Sequence, residues 1–434
     1  MARAMVMLPL ACCALIVSAA TSAAATVDVV FAQRPSSLAV RDKEIDDIIL
    51  GLNEAFQKAD GSGDVACDVK FVRTRPVIRD ARLPDSGDWS AHLKALKEVA
   101  PTADFLIVQS LSCLPATTNA SGCATKGKPA SVIYDGYRKP RTSIVWGHEQ
   151  GHRRGMHHVA QGIAWEQASK TQRTDVMFWD PRPDSRVLTA AECQTYGGTA
   201  RAGGGSFLAL LMVADNTAGA TDFGLTPKAF ALLDAGWAEQ LPLDAIRALA
   251  PEDIASISRV FDHEEAHPLW ANALTVLGVL GDDGAADAMR RLLEKPMPEV
   301  SDAATEAQLG YARDLLRAKL AAPVSIGFLL NRKPGRSDLG ALLEDGLDRE
   351  RAQAVVTPEF EADYRKAVVY GLAYAGSPLL ATAPQWSDDI RRKRVQAELS
   401  GIAPEEAEVI GRIAEDVRTR GLDALLAEPR HPDE

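Results

Sequence analysis

The sequence predicts an α+β domain followed by an all-α one, and three observations carry this. Over residues 26–200, short β-rich runs alternate with segments of helical period. Over 207–434, the composition shifts to alanine, leucine and acidic residues, with helical periodicity and no strand series. Between the two lies "GGTARAGGGS" at 197–206, which reads as a hinge. A chain of 434 residues is too long for one compact core. Hydrophobic residues at 46% and charged residues at 25% fit a folded soluble protein. A formal charge of −11 with no clustered basic stripe argues against nucleic acid as a partner.

Residues 1–25 read as an export signal. Arg3 gives a short basic start, "AMVMLPLACCALIVSAA" an apolar stretch, and "SAAAT" small residues around a cleavage point after Ala25. The expected location is therefore secreted or periplasmic. No other segment is apolar for long enough to span a bilayer, so no transmembrane helix is expected in the mature chain. Cys67, Cys113, Cys123 and Cys193 would remain, an even count that suits disulfides in an oxidising compartment. Cys113 and Cys123 flank the polar loop "LPATTNASG" and form the local candidate pair. Cys67 with Cys193 would be the long-range staple.

The elements follow in order. "VDVVFA" is a β-rich run, followed by "RDKEIDDIILGLNEAFQKA", where Ile45, Ile48, Ile49, Leu52 and Phe56 share one helical face. "CDVKFVR" reads as a second strand and "WSAHLKALKEVA" as a helix entered after Asp88. "DFLIVQ" is nearly all apolar, as a strand covered on both faces should be. "SVIYDG" reads as an edge strand after the cysteine-flanked loop. In the second half, "ANALTVLGVLGDDGAADAMRRLLE" pairs two apolar-faced helices around a Gly-Asp-Asp-Gly turn. "KAVVYGLAYAGSPLLA" echoes its first part. These helices resemble degenerate HEAT-type repeats, with a plain helical bundle as the equal alternative.

His-Glu-x-x-His occurs twice, at 148–152 and 263–267. A catalytic zinc needs three protein ligands and one open position. On a helix, His148 and His152 lie on one face and can point at one ion, and Glu149 stands beside them as a candidate general base. Gly155 can take the positive φ that ends a helix and reverses the chain, so His158 can approach as the third ligand. His157 reads as a rim residue. In the second copy Pro268 directly follows His267, so a helix starts there and the two histidines precede it without a shared face. Glu294, on a polar helix end, is a poor distant ligand. The second copy is expected to hold no catalytic metal.

His-Glu-x-x-His-x-x-Gly-x-x-His at 148–158 resembles the metzincin clan of zinc peptidases. Met177, in "TDVMFWDP", is similar to the methionine of the tight turn that underlies the zinc in that clan. The resemblance covers roughly residues 26–200 and implies a metzincin-like α+β domain with a twisted mixed sheet and an active-site helix. It implies His148, His152 and His158 as metal ligands, Glu149 as the catalytic base, Gly155 and Met177 as structural residues, and one catalytic Zn2+. Val159 after the third histidine matches none of the residues that mark astacins, adamalysins, serralysins or matrixins. Trp179 stands where astacins and serralysins carry a tyrosine. No family within the clan is therefore assigned.

The implied function is an exported zinc endopeptidase hydrolysing peptide bonds in a polypeptide substrate, with Glu149 moving the proton. The rivals are a catalytically idle zinc protein whose helical half engages a partner, and a zinc amidase acting on cell-wall peptides. A protein partner or inhibitor on the helical half is a further expectation.

Overall fold

The computed structural model describes residues 25–57, 65–113, 120–136, 139–159, 169, 172, 175–178, 181, 185, 188–202, 223–234, 241–281, 283–301, 303–380, 390–402 and 404–427. Of the stretch 1–25 that reads as an export signal, residues 1–24 lie outside the described residues, as does Trp179.

The first half is α+β. Its strands are β1 (Ala25–Asp28), β2 (Phe31–Gln33), β3 (Val65–Cys67), β4 (Val69–Val72), β5 (Ile78–Arg79), β6 (Phe105–Val108), β7 (Gly122–Cys123), β8 (Ala130–Ile133) and β9 (Ala200–Ala202). Its helices are α1 (Asp42–Phe56), α2 (Trp89–Val99), α3 (Lys139–Arg153) and α4 (Ala190–Thr195). The central sheet has the order β5-β2-β6-β8-β7. Four of its strands run parallel, and β7 is antiparallel to β8. The sheet is therefore mixed. β1 pairs with β4 and β3 with β9 in two smaller ladders.

Both faces of the sheet are covered, which is why all four side chains of β6 are buried. α1 presents Ile45, Ile48, Ile49, Leu52 and Phe56 to one face, as its periodicity predicts. Asn53 ties this helix to β4 through the Phe71 backbone, donating to its carbonyl at 2.8 Å and accepting from its N–H at 2.7 Å. α3 shares that face: Trp146 lies 5.2 Å from the Phe31 ring, which itself stacks on Phe105. α2, capped by Asp88 accepting from Ser90 N–H at 2.8 Å, covers the other face. The cysteines form two disulfides, Cys67–Cys193 and Cys113–Cys123.

Two sequence expectations need correction. "SVIYDG" supplies an inner strand, β8, and not the edge. The edge is β7, made of Gly122, the last residue of the stretch read as loop, and the flanking Cys123, and it is closed onto the sheet by the Cys113–Cys123 bond. The start of the expected hinge is likewise a strand: β9 pairs with β3, and Gly198 packs against the Cys67–Cys193 sulfurs.

The described second half is helical: α5 (Pro227–Asp234), α6 (Leu243–Arg247), α7 (Pro251–Arg259), α8 (Trp270–Leu280), α9 (Asp283–Glu294), α10 (Glu306–Arg332), α11 (Ser337–Asp345), α12 (Arg349–Val355), α13 (Glu361–Tyr374), α14 (Ile390–Gly401), α15 (Pro404–Arg420) and α16 (Leu422–Ala427). The long α10 is central, with α8 and α13 packed on it and α15 packed on α13. Glycine permits these approaches. A Cβ on Gly278 would lie 2.5 Å from the Ser325 carbonyl oxygen, and Gly371 packs against the Pro323 carbonyl of α10. The echoing segments of the sequence are thus the two helices that flank α10. No helix among the described residues is long and apolar enough to cross a membrane.

The two halves meet through polar groups, only some of them buried, and through Leu38, which joins the helical core. Arg313 of α10 bonds both oxygens of Glu44 at 3.0 and 3.1 Å and the carbonyls of Leu38 and Ala39. Arg34 pairs with Asp363 of α13 at 3.2 Å, and Lys366 donates to the Ser86 carbonyl at 3.0 Å.

Candidate metal centre

α3 carries glycines at 147 and 151, unusual inside a helix because each costs up to about 1 kcal/mol against alanine. Close packing explains them. A Cβ at 147 would sit 2.7 Å from Leu52 Cδ1, and one at 151 would meet Met177 Sδ and lie 2.7 Å from the Tyr196 hydroxyl oxygen. The glycine stripe at spacing four lets α3 sink onto α1 and onto the turn at Met177. His148 and His152, each one residue further on, share the neighbouring face.

The helix ends in a Schellman motif. Gly155 has φ of 88°, its N–H bonds the His152 carbonyl at 2.8 Å, and Met156 N–H bonds the Gly151 carbonyl at 3.0 Å. The chain reverses there and brings His158 back. The three Nε2 atoms stand 3.0 Å (148 to 152), 3.0 Å (152 to 158) and 3.1 Å (148 to 158) apart. Among the described residues this is the group of three His, Cys, Asp or Glu side chains close enough to share an ion.

The donor set fits a divalent metal. Nitrogens with that spacing lie on a circle of radius about 1.8 Å, so a point about 2 Å from all three exists just off their plane, the Zn–N distance. His148 Nδ1 lies 2.9 Å from the Val176 carbonyl and His152 Nδ1 lies 2.9 Å from the Met156 carbonyl. A carbonyl only accepts, so both Nδ1 atoms carry the proton and both Nε2 lone pairs face the triangle. Burial drives all three rings neutral: His148 lies well below its ordinary value, His152 at about 4 and His158 at about 3. Neutral imidazoles are what a metal requires.

Met177 sits in a tight turn over Asp175–Phe178, closed by Phe178 N–H on the Asp175 carbonyl at 3.1 Å. It is fully buried. Val159 N–H bonds the Met177 carbonyl at 2.8 Å, fastening the chain after His158 to this turn. Asp175 Oδ1 accepts from Met177 N–H at 2.7 Å. Glu149 is fully buried, against Gly122 of β7. His157 is exposed.

The second histidine pair is used differently. Pro268 lies inside a 3-10 turn, Glu264–Leu269, and the regular helix begins at Trp270, two residues later than expected. His267 Nδ1 is 2.7 Å from Asp314, with the ring against Tyr311 and Trp270, while His263 faces Phe223. Glu294 is exposed at the end of α9. These residues do not converge on one point.

Tyr196 is a site residue that sequence reasoning passed over. Its hydroxyl donates to the Gly147 carbonyl at 2.8 Å and lies 3.7 Å from Met177 Sδ, so one ring supports both α3 and the methionine turn. Gly147 and Gly151 were the available signal: two helix-weakening residues at spacing four beside the histidines announce something packed tightly underneath. The chain matches no known protein-family model, no curated protein and no solved structure.

Proposed function

We propose that this protein is an exported zinc-dependent endopeptidase of metzincin type, acting on polypeptide substrates. One observation carries the reading: three neutral imidazole nitrogens converge on one point, with an acidic residue next to the first of them in the ligand helix. When bound, zinc would supply Lewis acidity, polarising a carbonyl and lowering the pKa of bound water. His148, His152 and His158 would hold it, oriented by the Val176 and Met156 carbonyls. Glu149 accepts a proton from the attacking water and returns it to the departing amine. Its burial keeps competing solvent away, and a purely structural ion would need no such base. Two disulfides support an oxidising compartment.

The test joins metal content to turnover. The purified protein should hold one zinc per chain and cleave an unstructured protein substrate, with activity lost to a chelator and restored by zinc. Glu149→Ala should keep the zinc yet lose at least about a hundredfold in kcat. His158→Ala should lose the metal. Cleavage that persists in metal-free protein, or undiminished in Glu149→Ala, would overturn the reading.

A further inference from the structure

We infer that Gly122 is the positioning residue for the Glu149 carboxylate: the edge strand lies against that side chain only because position 122 carries none. The inference rests on the peptidase reading and extends it. In β7, Gly122 pairs with Val132 and Cys123 with Ser131. Successive strand residues face opposite ways. Val132 belongs to the core shared with Trp146 of α3, so Gly122 faces the ligand helix. Cys123 belongs to the core on the α2 side, where it bonds Cys113. The strand is thereby anchored on one face and meets Glu149 with the other.

The contact is close along the whole side chain. A Cβ on Gly122 would lie 2.5 Å from Glu149 Cγ and 2.6 Å from Cδ, and would collide with Oε1 as well. Crowding of the methylene and not only of the tip means that rotating the carboxylate does not relieve it. Glu149 is fully buried, so it has no solvent side to retreat into. Conformation does not call for glycine here, since Gly122 is not among the positive-φ glycines. Space does. A single methyl group would shift the carboxylate by about 1 Å, a misplacement worth roughly a hundredfold in rate where geometry is demanding.

The experiment is a cycle of Gly122→Ala and Glu149→Ala in the full chain, reading zinc content, kcat, KM and Tm. Gly122→Ala should keep its zinc and near-unchanged KM, lose roughly ten- to a hundredfold in kcat, and melt lower. In the Glu149→Ala background, where the obstructing side chain is gone, the same change should cost no further Tm and no further activity. Equal Tm losses in both backgrounds, or full kcat in zinc-loaded Gly122→Ala, overturn the inference and leave the peptidase reading standing. Absence of turnover in the zinc-loaded wild type removes that reading and this inference with it. Should Gly122→Ala not fold, recovery of folding in the double variant supports the contact, and failure in both overturns it.

Discussion

Asp175 shows how a single carboxyl can tie stability to pH beneath the histidine cluster. Burial, then the charge of Glu192, raises it to about 7, against the opposing pull of the Met177 N–H bond. The folded state therefore holds a proton that the unfolded chain releases near pH 4. Its contribution is full below that pH and is lost as pH rises through about 7. Asp175→Asn keeps an acceptor for the Met177 N–H without the charge. The variant's stability, measured by urea unfolding from pH 4 to 8, should decline less steeply than that of the wild type. The difference should amount to a few kcal/mol at most, on the order of 1.4 kcal/mol per pH unit of separation. Parallel pH profiles would show that Asp175 is ionised throughout.

At the scale of elements, the end of α3 is where local sequence and site geometry coincide. His148 and His152 at helical spacing, Gly155 as terminator and His158 three residues on are all set within eleven residues, so their convergence was legible in the sequence. Gly155→Ala should cost about 1–2 kcal/mol, because φ of 88° strains any residue with a Cβ and the added methyl would lie 2.9 Å from Lys126 Cδ. Since His158 depends on that reversal, zinc affinity by competition with a chelator should fall as well. Lower Tm with unaltered affinity would mean that the turn does not set the third ligand. The helices α1 and α2 were equally legible from their apolar faces and the Asp88 cap. What the sequence hid was made of contacts between distant segments. β7 is two residues, one of them glycine, with no alternation to read. Tyr196 meets Gly147 across 49 positions, and Gly122 meets Glu149 through space alone. The glycine-rich stretch signalled a hinge by composition, yet a pairing partner for 200–202 exists in β3, and pairing decided it.

For the molecule as a whole, the question is what holds a helical half to an α+β half through a polar seam. Arg313 and Glu44 are each about 2% exposed, a burial that charged groups tolerate only when paired. Burial by itself would raise Glu44, but the Arg313 hydrogen bonds and charge overcome it and leave the carboxyl below its ordinary value. A depressed acid contributes stability above its unfolded pKa and loses it as pH falls through the folded value, so the seam should weaken in acid below about pH 4.5. Arg313→Met at pH 7 strips the cation from a buried carboxylate and also removes the bonds to Leu38 and Ala39, at a cost of about 3–5 kcal/mol. Adding Glu44→Met should recover most of that, because an apolar pair of similar volume is often as stable as a buried ion pair. Urea unfolding of the four chains in the cycle measures both terms. Arg313→Met within about 1 kcal/mol of the wild type would mean that the other contacts between the halves, among them Arg34 with Asp363, Lys366 with Ser86, Arg41 with the Ala304 carbonyl and Leu38 in the helical core, suffice without it. A double variant no more stable than Arg313→Met would assign the loss to broken backbone bonds, those of Arg313 to the Leu38 and Ala39 carbonyls and that of the Arg41 N–H to Glu44, and not to the stranded charge.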